Sequence, residues 1–333
     1  MPAERALLYC AGGGLGDSLV ASLVARALHQ RFRRVDALTL PAHAELLERV
    51  PDVDAVLADE PGDERALAQT LSSRQYAAAV VTWATRRTAR VAQLAEIPVR
   101  VGQARRFYSF RFTQRVVVRS ECGDVTSHWS DILLDFARAL DCDTEDRHYR
   151  VVPTERDERE AGDLCAAEQR FVLLTPCNAV AAARGIWPRT GWTALARALR
   201  EAFGLRVLVT GAPAEAGIAG EIARSAESAD VVSIGGRTNV GTFAALARRA
   251  AAFVGITTGS MHVAAAVGCP TVGIFPFQSD FPERWAPLGT RTRVVRPSYP
   301  CHHGDTKERC PDYACIAHLD VQRILAATAS LIR

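Results

Sequence analysis

Short apolar runs alternate along this chain with longer segments whose apolar positions recur every three or four residues. That rhythm most restricts the fold, because brief apolar runs suit strands buried on both faces and the intervening periodicity suits covering helices. Residues 5–26, "RALLYCAGGGLGDSLVASLVAR", open with a strand, a glycine loop and a helix that groups Leu19, Val20, Leu23 and Val24 on one face. Strand-like "VDALTL", "DAVLA" and "AAAVVTW" follow, separated by helical "AHAELLERV" and "RTARVAQLAEI". The pattern then turns basic, in "RVGQARRFYSFRFTQRVVVRS", and helical, in "SHWSDILLDFARALDC".

A polar segment near residue 150, "DTEDRHYRVVPTERDERE", marks a linker. A second alternation begins beyond it: "RFVLLTP", "GWTALARALREAF", "RVLVTG", "AGIAGEIARSA", "DVVSI", "TFAALARRA", "AAFVGI", "MHVAAAVG" and "TVGIF". Two doubly wound α/β domains, 1–150 and 151–333, are the expected architecture. The last helix, "DVQRILAATASLIR", has the length to pack back toward the first domain. Ligands of such sheets bind beyond the carboxyl ends of the strands, so the site is expected in a cleft between the domains, on residues that follow strands.

Composition excludes several classes of function. The chain has 333 residues, 48% hydrophobic and 23% charged, which is too apolar for a disordered protein. Forty basic and 37 acidic residues leave a formal charge of +3, far from the basic excess of a nucleic-acid binder, so any basic function is local. The start, "MPAERALLYC", carries no signal-peptide pattern, and no apolar run approaches the roughly 20 residues of a spanning helix, so a cytoplasmic protein is expected. Nine cysteines, an odd number and mostly scattered, fit reduced thiols better than a disulfide scaffold.

Three stretches carry possible chemistry. In "GITTGSMHVAAAVGCPTVGIF" the residues "TTGS" form the turn between a strand and a helix, where free backbone N–H groups and the helix dipole favour an anion such as a phosphate. Thr258 or Ser260 is positioned to cap that helix, Gly259 allows close approach, and His262 falls in the first turn. The alternative is a plain cap above a core histidine.

The loop "AGGGLGDSL" superficially resembles a dinucleotide fingerprint, but Asp17 stands at the third glycine position, where a pyrophosphate would lie. Asp36, about 20 residues further on, keeps a nicotinamide oxidoreductase open as a distant alternative. An aspartate presented by a glycine loop, with Gly14 and Gly16 beside the acceptor, is suited to taking a proton from a hydroxyl. Its alternative role is to stabilise the first turn of its helix.

Arg86, Arg87, Arg90, Arg105, Arg106, Arg111 and Arg115 are interleaved with Trp83, Phe107, Tyr108 and Phe110. Such a cluster grips carboxylates or phosphates, which suggests an anionic acceptor held by Arg86, Arg105 and Arg106; solvated surface arginines are the alternative. The same segment is a candidate for contact with the inner face of a membrane, although no amphipathic anchor is evident. Near the C-terminus Cys301, Cys310 and Cys315 are spaced without the paired Cys-x2-Cys of most zinc sites, so no metal is assigned.

The motifs "GGLGD", "IWPRTGW" and "VTGAPAE", with the long block "VVSIGGRTNVGTFAALARRAAAFVGITTGSMHVAAAVGCPTVGIFPFQSDFPERWAPLG", resemble the glycosyltransferase family 9 heptosyltransferases. The resemblance implies a GT-B fold of two Rossmann-like domains, an N-terminal one for the acceptor and a C-terminal one for a nucleotide sugar. It implies inverting, metal-independent transfer of a heptose from ADP-heptose to an anionic glycan such as lipopolysaccharide inner core, without a cofactor. Asp17 is then the catalytic base, and Thr175, Arg184, Glu215, Thr257, Thr258, Gly259, Ser260 and His262 the donor residues. Two positions depart from the family pattern: Thr257 replaces an aspartate, and Gly185 replaces a lysine, with Arg184 beside it to supply the charge. A different nucleotide sugar or a secondary-metabolite acceptor is the closest competing reading, and a non-catalytic sugar-binding module a further one.

Overall fold

The computed structural model describes residues 3–165, 170–176, 187–277, 281–298 and 314–332. They form two compact units, Met1–Val151 and Val152–Arg333. In the first, strands β1 (Ala3–Tyr9), β2 (Phe32–Thr39), β3 (Ala55–Ala58), β4 (Ala78–Val81), β5 (Val99–Gln103) and β6 (Gln114–Val116) make one parallel sheet in the order 3-2-1-4-5-6. Helices α1 (Leu15–Leu28), α2 (Pro41–Leu47), α3 (Glu64–Ser72), α4 (Arg86–Leu94) and α5 (Trp129–Arg138) cover it.

The second unit repeats this order. Its strands are β7 (Phe171–Thr175), β8 (Arg206–Val209), β9 (Val231–Ser233), β10 (Ala252–Ile256), β11 (Thr271–Ile274) and β12 (Thr292–Val295), again all parallel, arranged 12-11-10-7-8-9. Its helices are α6 (Glu155–Leu164), α7 (Arg189–Phe203), α8 (Ala216–Ser225), α9 (Val240–Arg249), α10 (Gly259–Ala266), α11 (Pro282–Trp285) and α12 (Val321–Ala329). The terminal helix α12 packs on α7, β11 and β12, and its Ile324 lies in the core of its own unit.

The central strands explain the apolar runs. Every residue of β4, β7 and β10 is buried, as are Ala6–Tyr9 of β1, because parallel strands are covered on both faces. The edge strands β3, β6 and β12 are half-buried or exposed along most of their length. Two strands lie inside the basic segment, where apolar runs gave no sign of them. In β5 and β6 arginines interrupt the valines, and Arg100 turns back to donate to the carbonyls of Ile97 and Arg111. No helix among the described residues is long and apolar enough to cross a membrane.

Each sheet has one point where the strand order reverses, between β1 and β4 in the first unit and between β7 and β10 in the second. Loops leaving the carboxyl ends of these strands diverge there and open a crevice. Of the residues singled out above, Gly14, Gly16 and Asp17 follow β1, Trp83, Arg86 and Arg87 follow β4, Thr175 ends β7, and Thr257, Thr258, Gly259, Ser260 and His262 follow β10.

Candidate active site

In the first unit the loop Cys10–Gly14 links β1 to α1. Gly13 has a left-handed φ of 69°, and a Cβ there would fall 2.6 Å from Oδ2 of Asp17. The glycine therefore lets the chain turn and lets the carboxylate fold back over it. Asp17, in the first turn of α1, accepts the Gly14 N–H through Oδ2 at 2.7 Å. Stabilising the helix start, offered above as the alternative role for Asp17, is thus a real one, and it also fixes the carboxylate in place.

Burial pushes the Asp17 carboxyl above its ordinary value, against the Gly14 N–H and His43, which pull it down. The same burial pushes His43 below the usual histidine value while Asp17 opposes it. His43 is buried and its Nδ1 lies 2.9 Å from the hydroxyl of Ser18, the residue after Asp17. Sequence reasoning missed His43, because nothing local links it to a loop 26 residues earlier. A carboxylate with raised proton affinity is the stronger base.

Asp17 lines a pocket at the switch point. Cys10, Gly12 and Thr82 supply the part contributed by the ends of β1 and β4, and Trp83, Trp129 and Leu133 the rest. Burial holds the Cys10 thiol up at about 12, so it is protonated and inert. Trp129 and Leu133 come from α5 and were not anticipated; they reach the pocket only because α5 packs on α1.

The arginines divide into two groups. Arg87 is committed to Asp59, with nitrogens 2.7 and 3.1 Å from Oδ1, Arg90 pairs with Glu64 at 3.2 Å, and Arg106 pairs with Glu121. Arg111 stacks over Phe110 at 4.7 Å. Arg105, in a left-handed conformation, is exposed and reaches the sulfur of Cys122 at 3.3 Å. Arg86 is exposed at the first position of α4 and has no ion pair among the described residues. Carboxylates remote in sequence, Asp59 and Glu121, thus engage arginines that composition alone leaves free.

Asp36 does not serve a dinucleotide. It lies inside β2, fully buried, and Oδ2 accepts from the Tyr76 hydroxyl at 2.7 Å and from Arg74 at 3.2 Å. A ribose-binding carboxylate has to stand at the strand's end, so the nicotinamide alternative is set aside.

In the second unit Thr175 ends β7, and its hydroxyl lies 2.7 Å from that of Thr210, which follows β8. Glu215 is buried and accepts the Ala212 N–H at 2.8 Å. Thr257 donates its N–H to the Ile274 carbonyl at 3.1 Å. Helix α10 starts at Gly259, two residues before the run "MHVAAAVG" read from the sequence. Thr258 holds the cap position in extended conformation, but its side chain does not cap: the hydroxyl lies 2.5 Å from that of Ser260. The two hydroxyls expected to compete for the helix satisfy each other, and the N–H groups of Gly259 and Ser260 find no acceptor among the described residues. His262 is 5% exposed, as a core histidine would be. Arg184 and Gly185 lie outside the described residues, as do Cys301 and Cys310; Cys315 is buried in the apolar core of the unit.

Residues 64–312 match the profile of glycosyltransferase family 9 (heptosyltransferase). The chain belongs to this family. As a family 9 glycosyltransferase it shares the GT-B fold of solved structures along almost its entire length. One is the ADP-heptose LPS heptosyltransferase II of E. coli, 20% identical with a TM-score of 0.79 over 98% of each chain. The family 9 glycosyltransferase of Veillonella parvula is 15% identical, with a TM-score of 0.85 over 100% of this chain and 98% of that one. The E. coli heptosyltransferase WaaC, solved with ADP, is 16% identical, with a TM-score of 0.74 over 98% of this chain and 99% of that one. No curated protein sequence matches the chain.

Proposed function

We propose that this glycosyltransferase transfers a heptose from ADP-heptose to an anionic glycan such as lipopolysaccharide inner core, with inversion and without a metal. The first unit would bind the acceptor and the second the donor. Asp17 carries the reading: a carboxylate fixed by Gly14, raised in proton affinity and lining a pocket at a switch point is equipped to deprotonate an acceptor hydroxyl. The hydroxyl oxygen then attacks the anomeric carbon from the face opposite the leaving group. As that bond forms, the bond from the anomeric carbon to the diphosphate breaks, and the proton stays on Asp17.

The departing ADP carries the negative charge, and the unclaimed N–H groups at the start of α10 are suited to it. Thr175, Glu215, Thr257, Thr258, Ser260 and His262 would line the donor side, with Arg184 adding charge. Gly14 and Gly16 would let the acceptor approach Asp17, and Arg86, Arg105 and Arg106 would meet its anionic groups, Arg106 by exchanging Glu121 for the ligand. A lipid-linked acceptor would bring the protein to the cytoplasmic face of the membrane.

ADP-heptose is favoured over other donors because the E. coli relatives of the same fold are an ADP-heptose transferase and an enzyme solved with ADP. The test is a calorimetric titration with ADP, UDP, GDP, ADP-heptose, UDP-glucose and NADH. Tightest binding of ADP and ADP-heptose is expected; preference for another nucleotide moves the protein to a different donor while leaving the chemistry of Asp17 intact.

A further inference from the structure

The pocket around Asp17 is walled mainly by aromatic and aliphatic groups, an unusual setting for a carboxylate. Trp83 follows β4, and its indole lies directly on the glycine loop: a Cβ on Gly12 would fall 1.9 Å from its Cδ1. The ring is nevertheless 40% exposed, so only part of it is used in packing. Its loop is held firmly, since Thr85 caps α4 by accepting the Thr88 N–H and the Thr88 hydroxyl lies within reach of the Trp83 carbonyl, at 3.2 Å. Trp129, the first residue of α5, is half-buried, and Leu133, one turn later, extends the same wall.

From this geometry we infer that Trp83 and Trp129 form a stacking subsite for the sugar ring of the acceptor, setting the reacting hydroxyl against Asp17. The inference rests on the glycosyltransferase reading above and names the residues that select the acceptor. A pyranose offers an apolar face of C–H groups to an indole and a rim of hydroxyls to a carboxylate. The exposed indole and the Asp17 carboxylate line one small pocket with room for about a single water, so a ring lying across its mouth, rather than within it, would meet both. Apolar walls also keep water from the carboxylate, the same burial that raises its proton affinity. Gly12 is required because any side chain there would lift Trp83 off the loop and out of the pocket wall.

The experiment uses the full-length protein with ADP-heptose as donor and a deacylated inner-core oligosaccharide as acceptor. Acceptor KM is expected to rise roughly tenfold in Trp83→Ala and in Trp129→Ala, with donor KM unchanged and most of the loss recovered in Trp83→Phe and Trp129→Phe. Without donor, the oligosaccharide is expected to quench tryptophan emission in the wild type and less in Trp83→Phe. An unchanged acceptor KM in variants that melt like the wild type would overturn the subsite, and so would a rise in donor KM, which would make the indoles a nucleotide platform. A wild type that glycosylates the oligosaccharide with walls indifferent to substitution refutes the subsite alone. One that neither binds nor glycosylates it refutes the acceptor reading and the subsite together.

Discussion

The two units build the same six-stranded parallel sheet in the same order, yet they finish the first turn of the helix at the switch point in opposite ways. At α1 the protein supplies its own anion: Asp17 takes the Gly14 N–H at the cap position and holds a carboxylate over the helix start. At α10 the available hydroxyls turn to each other, Thr258 to Ser260, and the Gly259 and Ser260 N–H groups find no acceptor among the described residues. A helix start that already holds a carboxylate repels a phosphate, whereas one without a cap attracts it. One scaffold thus yields a proton acceptor and an anion receptor, and the difference lies in a single side chain at each turn.

The largest effect is expected where that difference is chemical. Asp17→Asn keeps an oxygen for the Gly14 N–H but cannot hold a proton from the acceptor, so kcat should fall roughly 10²–10⁴-fold with donor affinity unchanged. Steady-state rates beside a calorimetric donor titration check this, and near-normal turnover removes Asp17 from the chemistry. In the wild type Asp17 must be ionised to act. The acid limb of kcat/KM should therefore lie above the ordinary carboxyl value of 3.8, with activity present above that limb and lost as pH falls through it.

A smaller effect should follow from making the second turn resemble the first. Thr258→Asp places a carboxylate at the cap of α10, and ADP affinity should drop roughly tenfold to a hundredfold while the melting temperature rises with the new cap. Equal ADP affinity in the variant and the wild type would show that the diphosphate does not bind at this helix start. The smallest effect concerns support for the first turn. Gly13→Ala forces a side chain into a left-handed conformation against Asp17, costing about 1–2 kcal/mol, which chemical denaturation would detect; an undiminished midpoint would mean that the loop relaxes freely.

Much of this architecture was legible in the sequence because parallel sheets impose short, uninterrupted apolar runs on their central strands. β6 at the sheet edge and β5 next to it escaped, since arginines interrupt their apolar runs. In the site, Asp17 was legible from its glycine loop, because conformational demand and chemistry meet within a few residues. Trp129 and His43 were not, for each reaches the loop only through helix packing that no local pattern encodes. The cap at Thr258 was misjudged for a related reason: the helix N–H groups and the Ser260 hydroxyl were equally near in sequence, and only geometry decides between them. Arg106 and Arg87 likewise acquired their carboxylate partners through the tertiary fold.

Cys10 has a bearing on how the site can be attacked. It lines the same pocket as Asp17, is 3% exposed and stays protonated until pH about 12. A warhead that depends on thiolate attack would find no partner in this pocket, and peroxide would find none either. Blocking the site therefore calls for a molecule that competes by shape and charge, since a covalent bond to its cysteine is not on offer.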